Sequence, residues 1–392
     1  MPRLLYLLSF ANLVIGSGAF VIGGIIVPMA ASLGVSVPVA GQAMTAYAIA
    51  TALLAPMLLI ATGGWARRNA LLLALGIFAL GNGVCALAPG LTTLLLGRLL
   101  MGTGAAFTAI AAGLAVALVQ PARRGKALAL VFLGFSMSYV IGLPLGAWAG
   151  LRFGWRVPVS AMALITVALM AWLAWRVPAS LHAPGASFRG LGNVLRQRAV
   201  VAPLALTLLY FTAIFNVFTY LGPVLQALVP MSSEALSGTI ALFGVAGATG
   251  TLVGGWANDR FGARASLSVS LATMICTMLL LPLARGHWPA MMALFITWGL
   301  AGFSMMAPQQ SRLASAAPAH APMLLSLNSS MLYFGMALGA AVGGAASLQI
   351  GFHNLPWAGV PFVLAGLLTL ALPAAPVRDA VPVPIDSGRP GP

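Results

Sequence analysis

The chain reads as an all-α integral membrane protein of twelve transmembrane helices, built as two pseudo-symmetric six-helix bundles. Three observations carry that reading. Hydrophobic residues fill 61% of the 392 positions and charged residues 6%, where a soluble domain carries roughly a quarter charged. Apolar runs long enough to cross hydrocarbon, about 20 residues each, recur along the whole length. Two short glycine-containing motifs also reappear at nearly one offset, once in each half. A formal charge of +15 would suggest nucleic acid if the arginines formed a stripe. They cluster instead between apolar runs, so the charge reads as topology and no nucleic-acid partner is expected.

The expected spans are 4–30, 38–62, 70–88, 91–119, 127–150 and 157–177, then 200–229, 235–256, 265–284, 288–309, 322–347 and 356–374. This divides the chain into an N-terminal bundle (1–177), a central loop (178–199), a C-terminal bundle (200–374) and a Pro-rich tail (375–392). The first run is far longer than a signal core, and more runs follow, so no cleavable leader is expected. Of the 19 Lys and Arg, an inside N-terminus leaves only Arg152, Arg156 and Arg285 outside and Arg98 within a span. The remaining 15, from Arg3 to Arg389, face the cytoplasm. That bias predicts two cytoplasmic termini. A single lysine, Lys126, among so many arginines hints at a GC-rich bacterial genome, and so at a bacterial inner membrane. Cys85 and Cys276 lie singly in separate apolar runs without ligand spacing, so no metal and no cofactor are expected.

The duplication rests on two matches. Gly63-Gly64-Trp65-Ala66 follows the second span and Gly254-Gly255-Trp256-Ala257 closes the eighth, an offset of 191. Gly142, Leu145, Gly146, Ala147 and Gly150 in the fifth span align with Gly335, Leu338, Gly339, Ala340 and Gly343 in the eleventh, an offset of 193. Two similar bundles can rock about a site at the membrane midplane, which points to a secondary transporter.

Residues 255–264 read Gly-Trp-Ala-Asn-Asp-Arg-Phe-Gly-Ala-Arg. This resembles the G-x-x-x-D-R-x-G-x-R loop signature of the major facilitator superfamily. Its gating candidates are Gly255, expected to let helices approach, Asp259, expected to cap a helix start or pair with an arginine, and Arg260, Gly262 and Arg264. The first-half copy keeps Arg67 and Arg68, but Gly63 stands near where the family has its aspartate. Leu96-Gly97-Arg98-Leu99-Leu100-Met101-Gly102-Thr103-Gly104 is similar to the family's intramembrane arginine motif, which implies proton coupling or substrate binding for Arg98. An arginine there costs several kcal/mol unless it finds a partner or water. Snorkelling to the surface is the plain alternative. In the fifth span Gly134, Ser138, Gly142, Gly146 and Gly150 recur every four residues around Pro144, followed by Gly154-Trp155-Arg156. Gly142, Pro144 and Gly146 resemble the antiporter motif of twelve-span drug/proton antiporters, though small-residue packing explains the glycines equally well. The likeness is to the efflux branch that includes arabinose-, nucleoside- and chloramphenicol-export permeases, and it alone implies export.

The chain's four acids are Glu234, Asp259, Asp379 and Asp386, none of them inside an expected span. The family's first-span acid is absent from Gly16-Ser17-Gly18-Ala19-Phe20. His182, His287, His320 and His353 fall in loops or span ends. A buried cation would lack a counter-charge, at a cost of several kcal/mol, so a small neutral or weakly anionic polar or amphipathic substrate is expected. Coupling to protons would have to use Glu234, Asp259, the substrate or water near Arg98; an uncoupled facilitator stays open. The resemblance places the cavity among the first, fourth, seventh and tenth spans, which makes Asn12, Arg98, Thr212, Asn216, Thr219, Tyr220, Trp298 and Ser304 the cavity candidates. For the polar ones a hydrogen bond to a neighbouring helix is an equal alternative. Gln42, Tyr47 and Asn328 rank lower, their spans being peripheral to the cavity in that family. A membrane enzyme is disfavoured because no carboxylate pair, His/Cys cluster or nucleophile beside a base is present. A sensing, non-transporting homologue is disfavoured for want of room for an added domain. The expected unit is a monomer in the lipid bilayer, with a small-molecule substrate.

Overall fold

The computed structural model describes residues 3–120, 123–178, 198–316 and 321–371. The expected central loop between 179 and 197, with His182, Arg189 and Arg196, lies outside the described residues. So do His320 and the tail from 372, with Arg378, Asp379, Asp386 and Arg389.

In the N-terminal half, α1 is Arg3–Phe20 continued by Ile22–Leu33, α2 is Gln42–Ala61, and α3 is Arg67–Ala86. Next come α4 (Leu91–Ala117), α5 (Arg124–Phe153) and α6 (Arg156–Arg176). In the C-terminal half, α7 is Arg198–Phe218 continued by Leu221–Leu228. The run Ser233–Leu280 has 48 residues, roughly 72 Å at 1.5 Å per residue, more than twice the hydrocarbon thickness. It breaks at Gly262, whose φ of 80° and ψ of 163° are non-helical. That positive φ is open to glycine and strained for other residues. The break separates α8 (233–261) from α9 (263–280). Last come α10 (Trp288–Ala316), α11 (Ala321–Ile350) and α12 (Leu355–Ala371). Among the described residues ten helices are long and apolar enough to span on their own, and the pair bent by 45° in α1 makes eleven. The break at Gly262 makes twelve.

Several helices start a turn before the expected span: α3 at Arg67 and α5 at Arg124. An apolar scan stops at the first arginine, whereas the backbone continues helically past it; Arg67 itself is buried, at 3% exposure. Outward faces stay apolar, with Leu164, Leu252, Val269 and Leu368 all 67–76% exposed, as a lipid-facing wall requires.

Matching small-residue seams hold each bundle together. On α5, Gly134, Gly142, Gly146 and Gly150 lie against Ser9, Ser17, Val21 and Ile25 of α1. On α11, Gly335, Gly339 and Gly343 lie against the carbonyls of Leu208, Thr212 and Asn216 of α7. The equivalent helices thus mesh at the same four-residue period, which is the duplication expressed as packing. Pro144 has no N–H for the carbonyl of Val140. Just before it the helix widens to a π-turn, Ser138–Gly142, where the Leu143 N–H reaches back to Ser138 O. Two seams join the bundles, α2 with α11 and α5 with α8, and each is the other's counterpart under the pseudo-two-fold. One apolar core runs through both bundles. A small second one, Val200, Leu204, Leu313 and Leu324, sits at the arginine-rich end of the C-terminal bundle.

Candidate substrate site

Where the bundles meet, aromatic rings fill the centre. Phe20 of α1 stacks on Tyr139 of α5 at 4.7 Å and meets Phe135, Phe218 and Phe215 at 5.7, 5.9 and 6.1 Å. From α8, Phe243 stacks on Phe295 at 4.7 Å and tilts against Trp298 at 5.2 Å. Phe303 closes the circuit edge-on to Tyr139 at 5.0 Å. Each such pair is worth about 0.5–1.5 kcal/mol beyond its buried area. The cluster therefore holds five helices of both bundles together without any charge. Two voids beside it are water-sized, about 10 Å³ each. Sequence reading missed most of these rings, because an aromatic in a span registers only as apolar. The one available signal was on α7, where Phe211, Phe215 and Phe218 share a helix face.

Arg98 is 2% exposed, so it does not snorkel. The bend at Val21 leaves the last carbonyls of α1's first segment without their i+4 donors. Arg98 takes two of them, Nη1 to Gly18 O at 2.9 Å and Nη2 to Ala19 O at 2.8 Å. Its Nε donates to Ala43 O of α2 at 3.1 Å, and its plane lies 4.7 Å from the Tyr47 ring. A cation at a helix C-terminus meets the negative end of the dipole. This side chain thus ties α4 to α1 and α2.

The other cavity candidates divide. Trp298 is in the central cluster, its Nε1 buried without a partner. Thr219 is fully buried at the break in α7, its hydroxyl also unpartnered. The rest bond to the protein itself, most of them from one helix to another. Asn12 donates to Val131 O at 3.2 Å and accepts from Thr108 at 2.8 Å. Thr212 bonds its own helix at Leu208 O, 2.8 Å. Asn216 reaches Leu355 O at 2.8 Å, and Ser304 shares a 2.7 Å bond with Ser270. Tyr220 lies away from the centre, at the end opposite the arginine-rich loops. There its hydroxyl donates to Ala340 O at 2.8 Å and lies 3.4 Å from Pro38 O. It is joined by Thr45 to Ala337 O at 3.4 Å and by Arg152–Glu234 at 3.7 Å. Among the described residues these polar contacts between the bundles all lie in that half of the molecule.

The loop signature needs one correction. The close approach belongs to Gly254, against the Ser304 backbone, while Gly255 has no neighbour within 4 Å of where a Cβ would stand. One residue is about 100° of rotation on a helix, enough to exchange seam for surface. Asp259 is exposed and receives only Asn258 Nδ2, at 3.5 Å; among the described residues it neither caps a helix nor pairs with an arginine. Arg260 and Arg264 are exposed beside it, with Arg260 6.0 Å from the Phe261 ring. Glu234 is the second residue of α8, exposed at the outer boundary of the span. The backbone at its own helix start, the Ser232 hydroxyl and Arg152 hold its carboxyl below the usual carboxylate range.

Two related six-helix bundles, joined by paired seams around one aromatic centre, make a two-fold membrane architecture, and its family makes it a membrane transporter. The chain belongs to the Major Facilitator Superfamily, whose profile matches residues 8–241 and 230–390. It is 31% identical over 373 residues to the inner membrane transport protein YdhP of Escherichia coli K12, covering 93% of this chain and 95% of that one. It is 28% identical over 369 residues to the uncharacterized MFS-type transporter YbcL of Bacillus subtilis 168, covering 94% and 95%. Among solved structures it superposes on a D-xylose–proton symporter with a TM-score of 0.75 at 16% identity, covering 93% of this chain and 96% of that one. It also superposes on the human organic anion transporter MFSD10 with a TM-score of 0.69 at 18% identity, covering 94% and 100%. At these identities the structures speak for the fold alone.

Proposed function

We propose that this protein exports a small, neutral or weakly anionic amphipathic molecule across a bacterial inner membrane by alternating access. The observation that carries the reading is the central aromatic cluster, shared by both bundles and without a carboxylate. A planar apolar body can replace ring–ring contacts there, whereas a cation would find no counter-charge. The one buried guanidinium beside it already has three carbonyl partners. The fifteen-to-three arginine and lysine bias supports placing both termini and the arginine-rich loops in the cytoplasm. On that orientation the contacts of Tyr220, Thr45 and Arg152–Glu234 close the outer side. The name of the E. coli relative supports the inner membrane. The acting unit is taken as a monomer.

Proton coupling through a protein carboxylate has weak support. Glu234 is held ionised at the outer boundary, and Asp259 is solvated at the other end, so neither is placed to carry a proton through the centre. Uncoupled efflux or a substrate-borne proton follows. The test is uptake into everted vesicles and proteoliposomes with sugars, nucleosides, amino acids and phenicols, with and without an imposed pH gradient. Flux of a neutral aromatic compound without a gradient is expected. No flux of any compound would remove the transport reading, and flux strictly dependent on the gradient would remove uncoupled efflux.

A further inference from the structure

Below the aromatic centre, in the arginine-rich half of the C-terminal bundle, three polar side chains from three helices meet. Thr207 of α7, Gln309 of α10 and Asn328 of α11 are 2%, 5% and 5% exposed. With Tyr210, Phe211 and Met305 they line one of the water-sized voids. Their hydrogen bonds run in one direction. Gln309 Nε2 donates to Pro203 O at 2.5 Å and to Thr207 Oγ1 at 2.8 Å, and Thr207 Oγ1 donates to Asn328 Oδ1 at 2.5 Å. The Pro203 carbonyl can only accept, which fixes Gln309's nitrogen toward it and leaves its oxygen as the free end. Gln309 Oε1 is buried there with no partner. The Thr207 hydroxyl lies 2.5 Å from Asn328 Oδ1 and 3.4 Å from Pro203 O, so the shorter contact takes its proton, and among the described residues no hydrogen bond leaves Asn328 Nδ2. The network therefore ends in one unused acceptor and one unused donor, on residues that line the same void.

An unpartnered atom alone does not mark a site, since Asn216 Oδ1 lacks a partner as well while Asn216 lines neither void; here both free ends belong to residues that line one void. The counterpart in the N-terminal bundle closes more nearly on itself: both Asn12 Nδ2 and Asn12 Oδ1 have partners. The void, about 10 Å³, has the size of one water or one small polar group. Phe211 joins it to the centre, lying 4.9 Å from Tyr210 and 6.1 Å from Phe215, which in turn meets Phe20 and Phe218.

We propose that Thr207, Gln309 and Asn328 form the polar subsite of the transport path, taking a neutral amide or hydroxyl headgroup whose aromatic body lies against Phe211 and Phe215. This rests on the aromatic-site reading above and names its substrate class. Gln309 Oε1 accepts from the headgroup N–H or O–H, and Asn328 Nδ2 donates to its oxygen. A carboxylate could use only the Asn328 donor and would set its other oxygen against the Gln309 oxygen, and an ammonium would lack a counter-charge.

The test is fluorescence titration of the full chain in nanodiscs, corrected for empty discs, with 2-naphthamide, 2-naphthoate, (2-naphthylmethyl)ammonium and 2-methylnaphthalene. The amide is expected to bind at least about tenfold tighter than either ion, because a site built to hydrogen-bond rejects what leaves its groups unpaired. Gln309→Met should abolish that preference while changing 2-methylnaphthalene affinity by less than about twofold, since only the headgroup contact is lost. Asn328→Leu probes the donor side and serves as the second variant. Both are checked for folding by melting and gel filtration. Equal binding of all four probes by the native protein would overturn the subsite and leave the aromatic site standing. Absence of binding by all four would overturn both. An amide preference that survives in a folded variant would overturn the subsite alone.

Discussion

Arg98→Lys is expected to destabilise the protein more than Arg98→Met, although lysine keeps the charge. The guanidinium makes three carbonyl bonds, at 2.8, 2.9 and 3.1 Å, to two helices at once. Its planar fork matches the two adjacent carbonyls of Gly18 and Ala19, and a lysine ammonium cannot span Ala43 as well. Losing at least one charge-assisted bond costs about 1.5–3 kcal/mol, while the buried charge keeps its desolvation cost of several kcal/mol. Methionine loses all three bonds, leaving two helix-end carbonyls open at about 1–3 kcal/mol each, but it also removes that desolvation cost. The two terms nearly offset, so Met should fall within about 2 kcal/mol of native and Lys should lie below it. Melting in nanodiscs, followed by a flux assay at a temperature where each variant is folded, separates stability from activity. A lysine variant as stable as native, with methionine far below, would refute the argument. It would mean that the charge, and not the fork on a broken helix, is what the site needs.

Gly339→Val places a side chain against the Thr212 carbonyl, where even a Cβ would stand at 2.5 Å. Overpacking of this kind costs about 1–3 kcal/mol, and a melting point within experimental error of native would count against the seam. Tyr220→Phe removes the hydroxyl's bond to Ala340 O and its 3.4 Å approach to Pro38 O of the other bundle, worth about 1 kcal/mol. Thiol labelling of a Ser347→Cys reporter, buried at 8% exposure, in a Cys276→Ser background should accelerate several-fold, and an unchanged rate would show that the hydroxyl does not hold the gate. The Glu234 carboxyl is depressed, so its ion-pair contribution is complete above the ordinary carboxylate value and is lost as pH falls through the lower folded value. Labelling of the same reporter, divided at each pH by the rate of the same thiol in the unfolded chain to remove thiolate ionisation, should thus be flat from pH 8 to about 5 and rise only below the usual carboxylate range. A midpoint near neutrality would contradict this.

Spans, their number and their basic flanks were legible because apolar run length and arginine clustering are one-dimensional signals. The small-residue stripe on α5 was legible for the same reason, its period being local. The partners of Arg98 were not. They are main-chain carbonyls released by a bend, and the sequence marks that bend only by Gly16-Ser17-Gly18. The polar trio was out of reach as well, since Thr207 is 102 residues from Gln309 and 121 from Asn328. Resemblance favoured the first, fourth, seventh and tenth spans, and so ranked Asn328 low. The aromatic centre draws on five helices, and no local pattern unites them beyond the run on α7.

The filled centre has a consequence for affinity. With Phe20, Tyr139, Phe218 and Phe243 already in contact, the protein itself fills the site proposed for its substrate. An incoming molecule is rewarded only by the difference between its contacts and those it displaces. Such competition caps how tightly any passenger is held and hastens its departure once the rings can close again. A receptor would be handicapped by that arrangement. For a carrier, whose throughput depends on letting go, it is an advantage.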